Sequence, residues 1–151
     1  MDKEQIVNEI DIAFKERTPL IKKGKYWYQD DGVSKLLFYV EPARYMDGVY
    51  INVGIYYNNL DDTKSKAIPN FHNWHLNANI GYIYQNIPIV IPFNCSDLEL
   101  KTFFDIIINQ VIPYVNKWRD KGFLKTYPNI WDSPWQKKIS KDRLNEYIAT
   151  L

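Results

Sequence analysis

Between Val49 and Tyr57 the chain alternates strictly: Val49, Ile51, Val53 and Ile55 fall on one side of an extended strand, and Tyr50, Asn52, Gly54 and Tyr56 on the other. The β-branched side is a core face. The tyrosine side is open to cover by a helix, a loop or a partner. Upstream, Tyr26, Trp27 and Tyr28 have the aromatic enrichment of a strand, and Val33–Glu41 sets Leu36, Phe38 and Val40 against Leu37, Tyr39 and Glu41. Asp31 and Gly32 between them form the pair that a tight hairpin turn requires. Pro42–Met46 reads as a loop, with Asp47 and Gly48 launching the next strand. After a polar loop over Asn58–Asn70, Trp74, Leu76, Ala78, Ile80 and Tyr82 alternate with His75, Asn77, Asn79 and Gly81. This predicts a fourth antiparallel strand whose Asn, His and Gly face is wet or hydrogen-bonded and is no second hydrophobic core. Ile87–Phe93 carries Pro88 and Pro92, which lack the amide a central strand donates, so it is an edge strand or an extended connector.

Helical spacing brackets the strands. Ile6, Val7, Ile10, Ala13 and Phe14 recur on one face from Lys3 to about Arg17, and Thr18-Pro19 ends that helix. Ser96 and Glu99 form a capping box for a long helix predicted over Asp97–Lys121 and closed by Gly122. Its apolar stripe is Phe103, Phe104, Ile107, Ile108, Val111, Val115 and Trp118, and Pro113 predicts a kink or break near Asn109. A Pro- and aromatic-rich segment through Tyr127, Trp131 and Trp135 leads to a short helix starting near Ser140, with Ile139, Leu144, Ile148 and Leu151 on one face. Helices segregated to the chain ends around contiguous strands select an α+β fold: one domain over 1–151, an antiparallel meander of four to five strands, and helices packed on the aliphatic face.

Composition narrows the partners. With 19 basic and 18 acidic side chains, the net charge of +1 offers no single-sign field for nucleic acid or an anionic bilayer. No apolar run approaches the roughly 18 residues of a membrane span. The first residues, MDKEQIVNEI, are unlike a secretory leader, and the single Cys95 permits no internal disulfide. A cytoplasmic monomer or weak dimer is the expectation. Abundant Ile, Asn, Lys and Tyr point to an AT-rich genome.

Catalytic and metal signals are weak. His72 and His75 are three apart on an extended segment and point to opposite sides, so no metal site or other cofactor is expected, and both read as surface histidines. Cys95 precedes a helix start, where a dipole lowers a thiol pKa, but a small buried apolar residue is the simpler reading. Asp61 and Asp62 read as a solvated charge cluster. The run KKGKYWY at 22–28 has the lysines and rings of a single-strand binder, a role that the balanced charge and the hairpin pattern disfavour.

What remains is the aromatic load, 16% of residues. Trp27, Tyr50, Tyr56, Trp131 and Trp135 are candidates to line one groove, since Tyr and Trp combine an apolar body with a polar tip. The competing reading lets the C-terminal aromatics cover the tyrosine face of the sheet. The functional expectation is a non-catalytic module that binds a protein partner, of accessory or immunity type by analogy; the alternative is a small-molecule or enzymatic pocket walled by the sheet tyrosines and C-terminal tryptophans.

Three segments, Lys22–Tyr28, Tyr50–Tyr57 and Asn73–Leu76, with the order of elements around them, resemble a bacterial family known as domain of unknown function 4304. The resemblance covers about half the chain and implies the same helix-then-sheet order. It implies no activity and no catalytic residues.

Overall fold

The computed structural model describes residues 1–60, 68–128, 131 and 137–151. The fold is α+β. Helix α1 (Lys3–Arg17) begins at a capping box in which Asp2 and Gln5 satisfy each other's backbone amides, and ends at Thr18, ahead of Pro19. Strands β1 (Ile21–Lys23), β2 (Tyr26–Asp30), β3 (Ser34–Pro42), β4 (Gly48–Tyr57) and β5 (Leu76–Asn79) follow in antiparallel meander order. The two-residue β6 (Ile91–Pro92) pairs with the start of β4, which fits its prolines. Gly24 at φ +61° and Gly32 at φ +88° make the two tight turns. The second is held by Asp30 and Asp31, whose carboxylates accept from the amides of Gly32, Val33 and Ser34.

The aliphatic side of β4 is core as expected: Val49, Ile51, Val53 and Ile55 are buried against Ile6, Ile10 and Phe14 of α1 and against Leu100, Phe104, Ile107 and Val111 of the later helices. At 20–33 cal/mol per Å² of apolar surface removed from water, this shared layer is the main source of stability.

The long helix differs from its prediction in an instructive way. Helix α3 (Asp97–Ile106) passes into a π-helical turn (Ile107–Val111), where the Ile112 amide reaches back to the Ile107 carbonyl, and then into α4 (Ile112–Asn116). Pro113 has no amide and its ring crowds the carbonyl four residues earlier; the widened turn absorbs that conflict without breaking the helix. A 3₁₀ turn (Lys117–Arg119) ends the run, and Asp120 caps a separate helix α5 (Lys121–Thr126) through the Phe123 amide. Gly122 is therefore an interior residue of α5 and not a helix stop. Helix α6 (Lys138–Ala149) turns Ser140 and Leu144 inward and leaves Ile139 58% exposed, so Ile139 is not on the packed face.

The fourth long strand is shorter than predicted. It ends at Asn79, whose side chain accepts from the Gly81 amide and starts a one-turn helix α2 (Ile80–Ile83), leaving Tyr82 exposed. Its polar face is hydrogen-bonded but dry, and it does carry a second hydrophobic cluster: Leu37, Tyr56, Phe71 and Trp74, with Tyr26, Tyr28, Tyr39 and Ile68 around them. The sheet is thus covered on both sides, by helices on one and by the segment leading into β5 on the other. Among the described residues no helix is long and apolar enough to cross a membrane.

Candidate functional site

The candidate aromatic residues do not converge. Trp27 is 1% exposed, packs edge-on against Phe14 at 5.8 Å and donates its indole N–H to Asp11 Oδ1 at 3.0 Å, so it docks α1 onto the sheet. Trp131 is 2% exposed and stands edge-on to Trp118 at 5.5 Å, within the same core. Tyr56 lies on the opposite face, stacked on His75 at 4.5 Å with the Lys35 ammonium 5.4 Å from its ring centroid. Only Tyr50 is half-exposed, its hydroxyl accepting from the Arg44 amide at 3.4 Å. Trp135 lies outside the described residues. The proposed groove thus loses Trp27 and Trp131 to the main core and Tyr56 to the cluster on the other face.

Several large apolar side chains are exposed elsewhere, four of them toward one end of the sheet. The β3–β4 loop presents Arg44, Tyr45 and Met46, with Tyr45 90% and Met46 57% exposed. Strand registers place the end of β5 at the same edge of the sheet, since Asn79 pairs with Asn52 while Leu76 pairs with Ile55. Tyr82 of α2, 60% exposed, and Ile89, 41% exposed, are therefore at that end too. The segment 88–93 ties these parts together. A β-carbon on Gly81 would stand 2.7 Å from the Ile89 backbone, and one on Gly48 would stand 2.5 Å from the Ile91 carbonyl oxygen. Asn79 Nδ2 donates to the Ile89 carbonyl, and the Phe93 amide to that of Asp47. Both glycines serve close approach of backbone to backbone. The signal in the sequence was the Arg-Tyr-Met run in a loop between the two longest strands; Tyr82 was hidden because strand alternation assigned it to the core.

The opposite end of the sheet is a charged clamp. The Arg119 side chain is only 10% exposed and donates to Ser34 Oγ at 2.9 Å, the Ser34 carbonyl at 3.0 Å and Gln29 Oε1 at 3.3 Å, with Asp31 Oδ2 at 3.1 Å. Lys35 donates to Asn58 Oδ1 at 2.6 Å beside Asp30. Burial works to raise both carboxyls, but the turn amides outweigh it, helped by Asn58 and Lys35 at Asp30 and by Arg119 at Asp31, and hold both below the ordinary 3.8. Each of these charges is satisfied by the turn it braces, which makes the cluster structural.

His75 is not a surface residue. It is fully buried, and its Nδ1 accepts from the Tyr57 amide at 2.9 Å. His72 is exposed, and among the described residues no three His, Cys, Asp or Glu side chains gather into a metal site. Cys95 is buried, and burial, with Glu99 nearby, pushes its thiol up instead of down. Tyr57 is also raised by burial, its hydroxyl donating to the Trp118 carbonyl at 2.6 Å. No family model, curated protein or solved structure matches the chain.

Proposed function

We propose that this protein is a non-catalytic module that binds a protein partner through the exposed end of its sheet, with Tyr45 as the anchor. The observation that carries this reading is the 90% exposure of Tyr45 beside Met46 and Arg44, on a loop held by the longest hairpin of the fold. Tyr, Met and Arg are the residue types enriched at the centres of protein interfaces, and Tyr and Arg dominate their binding energy. Tyr50 supports the loop from below through its contact with the Arg44 amide. Tyr82 and Ile89 extend the apolar surface along the same end. A small-molecule or enzymatic pocket walled by sheet tyrosines and C-terminal tryptophans requires those rings to share a space, and Tyr56 and Trp131 belong to clusters on opposite faces.

Replacing Tyr45 and Met46 together by alanine tests this. Stability changes by no more than about 0.5 kcal/mol, as for other surface positions. Affinity for the partner falls by about 2 kcal/mol or more, roughly thirtyfold. Unchanged affinity would overturn the reading.

A further inference from the structure

The basic run at 22–28 has a use that the partner surface does not absorb. A groove of about 460 Å³ lies between α1 and the β1–β2 hairpin, lined by Lys3, Glu4, Val7 and Asn8 from the helix and by Lys22 of β1 with Gly24 and Lys25 of the turn. Val7, Trp27 and Val40 give it an apolar floor. Three lysines and one glutamate therefore line one concavity, a surplus of two positive charges in a protein whose whole net charge is +1. Among the described residues none of these three lysines forms an ion pair. The Lys22 ammonium is 5.7 Å from the Trp27 ring centroid, so a cation–π contact holds it over the floor. Gly24, at φ +61°, makes the turn that brings Lys22 and Lys25 together, and a β-carbon there would meet nothing within 4 Å.

We infer that this groove binds a small organic phosphate, with the phosphate between the lysines and an apolar or aromatic body on the floor. A phosphate monoester carries a charge of about −1.5 to −2 at neutral pH, which matches the local surplus. Lysine binds phosphate as a point charge from several directions, which suits a groove lined by lysines from two elements. The volume lies within the roughly 300–1,000 Å³ of small-molecule sites. Nucleic acid fits poorly. The rings interleaved with these lysines are not presented to bases, since Trp27 is core and Tyr26 packs on the far face against Tyr39 and Trp74.

Calorimetric titration of the full chain with phenyl phosphate, inorganic phosphate, benzyl alcohol and a short single-stranded oligonucleotide tests the assignment. Phenyl phosphate is expected to bind saturably at one site, inorganic phosphate more weakly, and benzyl alcohol not at all. Lys22→Glu with Lys25→Glu, one on the exposed edge strand β1 and one in the exposed turn after it, is expected to weaken phenyl phosphate at least about tenfold with the melting temperature preserved. Lys3→Gln, on the helix side, gives an independent variant with a loss in the same direction. Lys23→Glu, adjacent but not lining the groove, is expected to leave binding within about twofold. No saturable binding of phenyl phosphate, equal binding by inorganic phosphate, a loss in Lys23→Glu as large as in the double variant, or preference for a single-stranded oligonucleotide would each overturn it.

Discussion

The Trp74 indole lies so close over Gly54 that a β-carbon at position 54 would stand 2.4 Å from its Cε3 atom and 2.3 Å from the Leu76 carbonyl oxygen. The glycine in the middle of the central strand is therefore a seat for a tryptophan on the next segment of the chain. This contact joins the central strand to the segment that leads into β5. It also explains why the tyrosine side of the sheet is dry: Trp74, with its N–H donated to the Pro69 carbonyl at 3.0 Å, roofs that face.

Gly54→Ala is expected to destabilise by about 1–3 kcal/mol through overpacking, and Trp74→Ala by about 3–5 kcal/mol through the cavity it leaves. The double variant costs less than the sum, because removal of the indole relieves one of the two clashes. Denaturant melts of the three variants measure this, and a Gly54→Ala protein as stable as the parent would contradict the close contact.

Trp131→Ala is expected to cost about 3–5 kcal/mol, the loss typical of a buried tryptophan, because the ring packs on Trp118 in the main core. Its indole N–H has no acceptor among the described residues, so Trp131→Phe, which removes that donor while keeping most of the ring, costs less. A loss below about 1 kcal/mol for the alanine variant would return Trp131 to the list of surface candidates.

His75→Ala leaves the Tyr57 amide unsatisfied in a buried site and removes the ring stacked on Tyr56, so a loss of at least about 1–3 kcal/mol is expected. His72→Ala, at an exposed position, changes stability by about 0.5 kcal/mol or less. Equal, negligible effects of the two would show that His75 is not buried.

Strand and helix identities were legible because periodicity reports which side of an element faces the core. Val49, Ile51, Val53 and Ile55 could be placed from their β-branched alternation alone. The same rule failed at Trp74 and Tyr82, which share the parity of Leu76 and Ala78 but lie beyond the ends of β5, where the chain turns and parity no longer fixes direction. His75 departs from the surface reading, because polarity does not fix exposure; for the face it shares with Asn77 the hydrogen-bonded alternative holds, Asn77 being fully buried with its Nδ2 donating to the Phe71 carbonyl. The candidate groove failed for a related reason. A tryptophan's burial depends on what packs over it, and for Trp27 that is α1, many residues away in sequence.

Acid sensitivity is expected from the Asp30 and Asp31 clamp. Both carboxyls titrate below 3.8 in the folded state, so their contribution is fully present above that value and is lost as pH falls through the lower folded pKa values. Melting temperature against pH is expected to drop more steeply below about pH 4 in the parent than in Asp31→Asn, which has lost that titration. Parallel curves would show that the Arg119 clamp does not hold Asp31 in its charged form.

The end of the sheet bearing Tyr45 is proposed to meet a protein. The most direct measurement is photo-crosslinking in the cells that make this protein, with a benzophenone amino acid placed at position 45 and, as a control, at the exposed position 139 of α6. A discrete adduct with one protein is expected from position 45 and none from position 139. No adduct at position 45, or the same products from both positions, would contradict it.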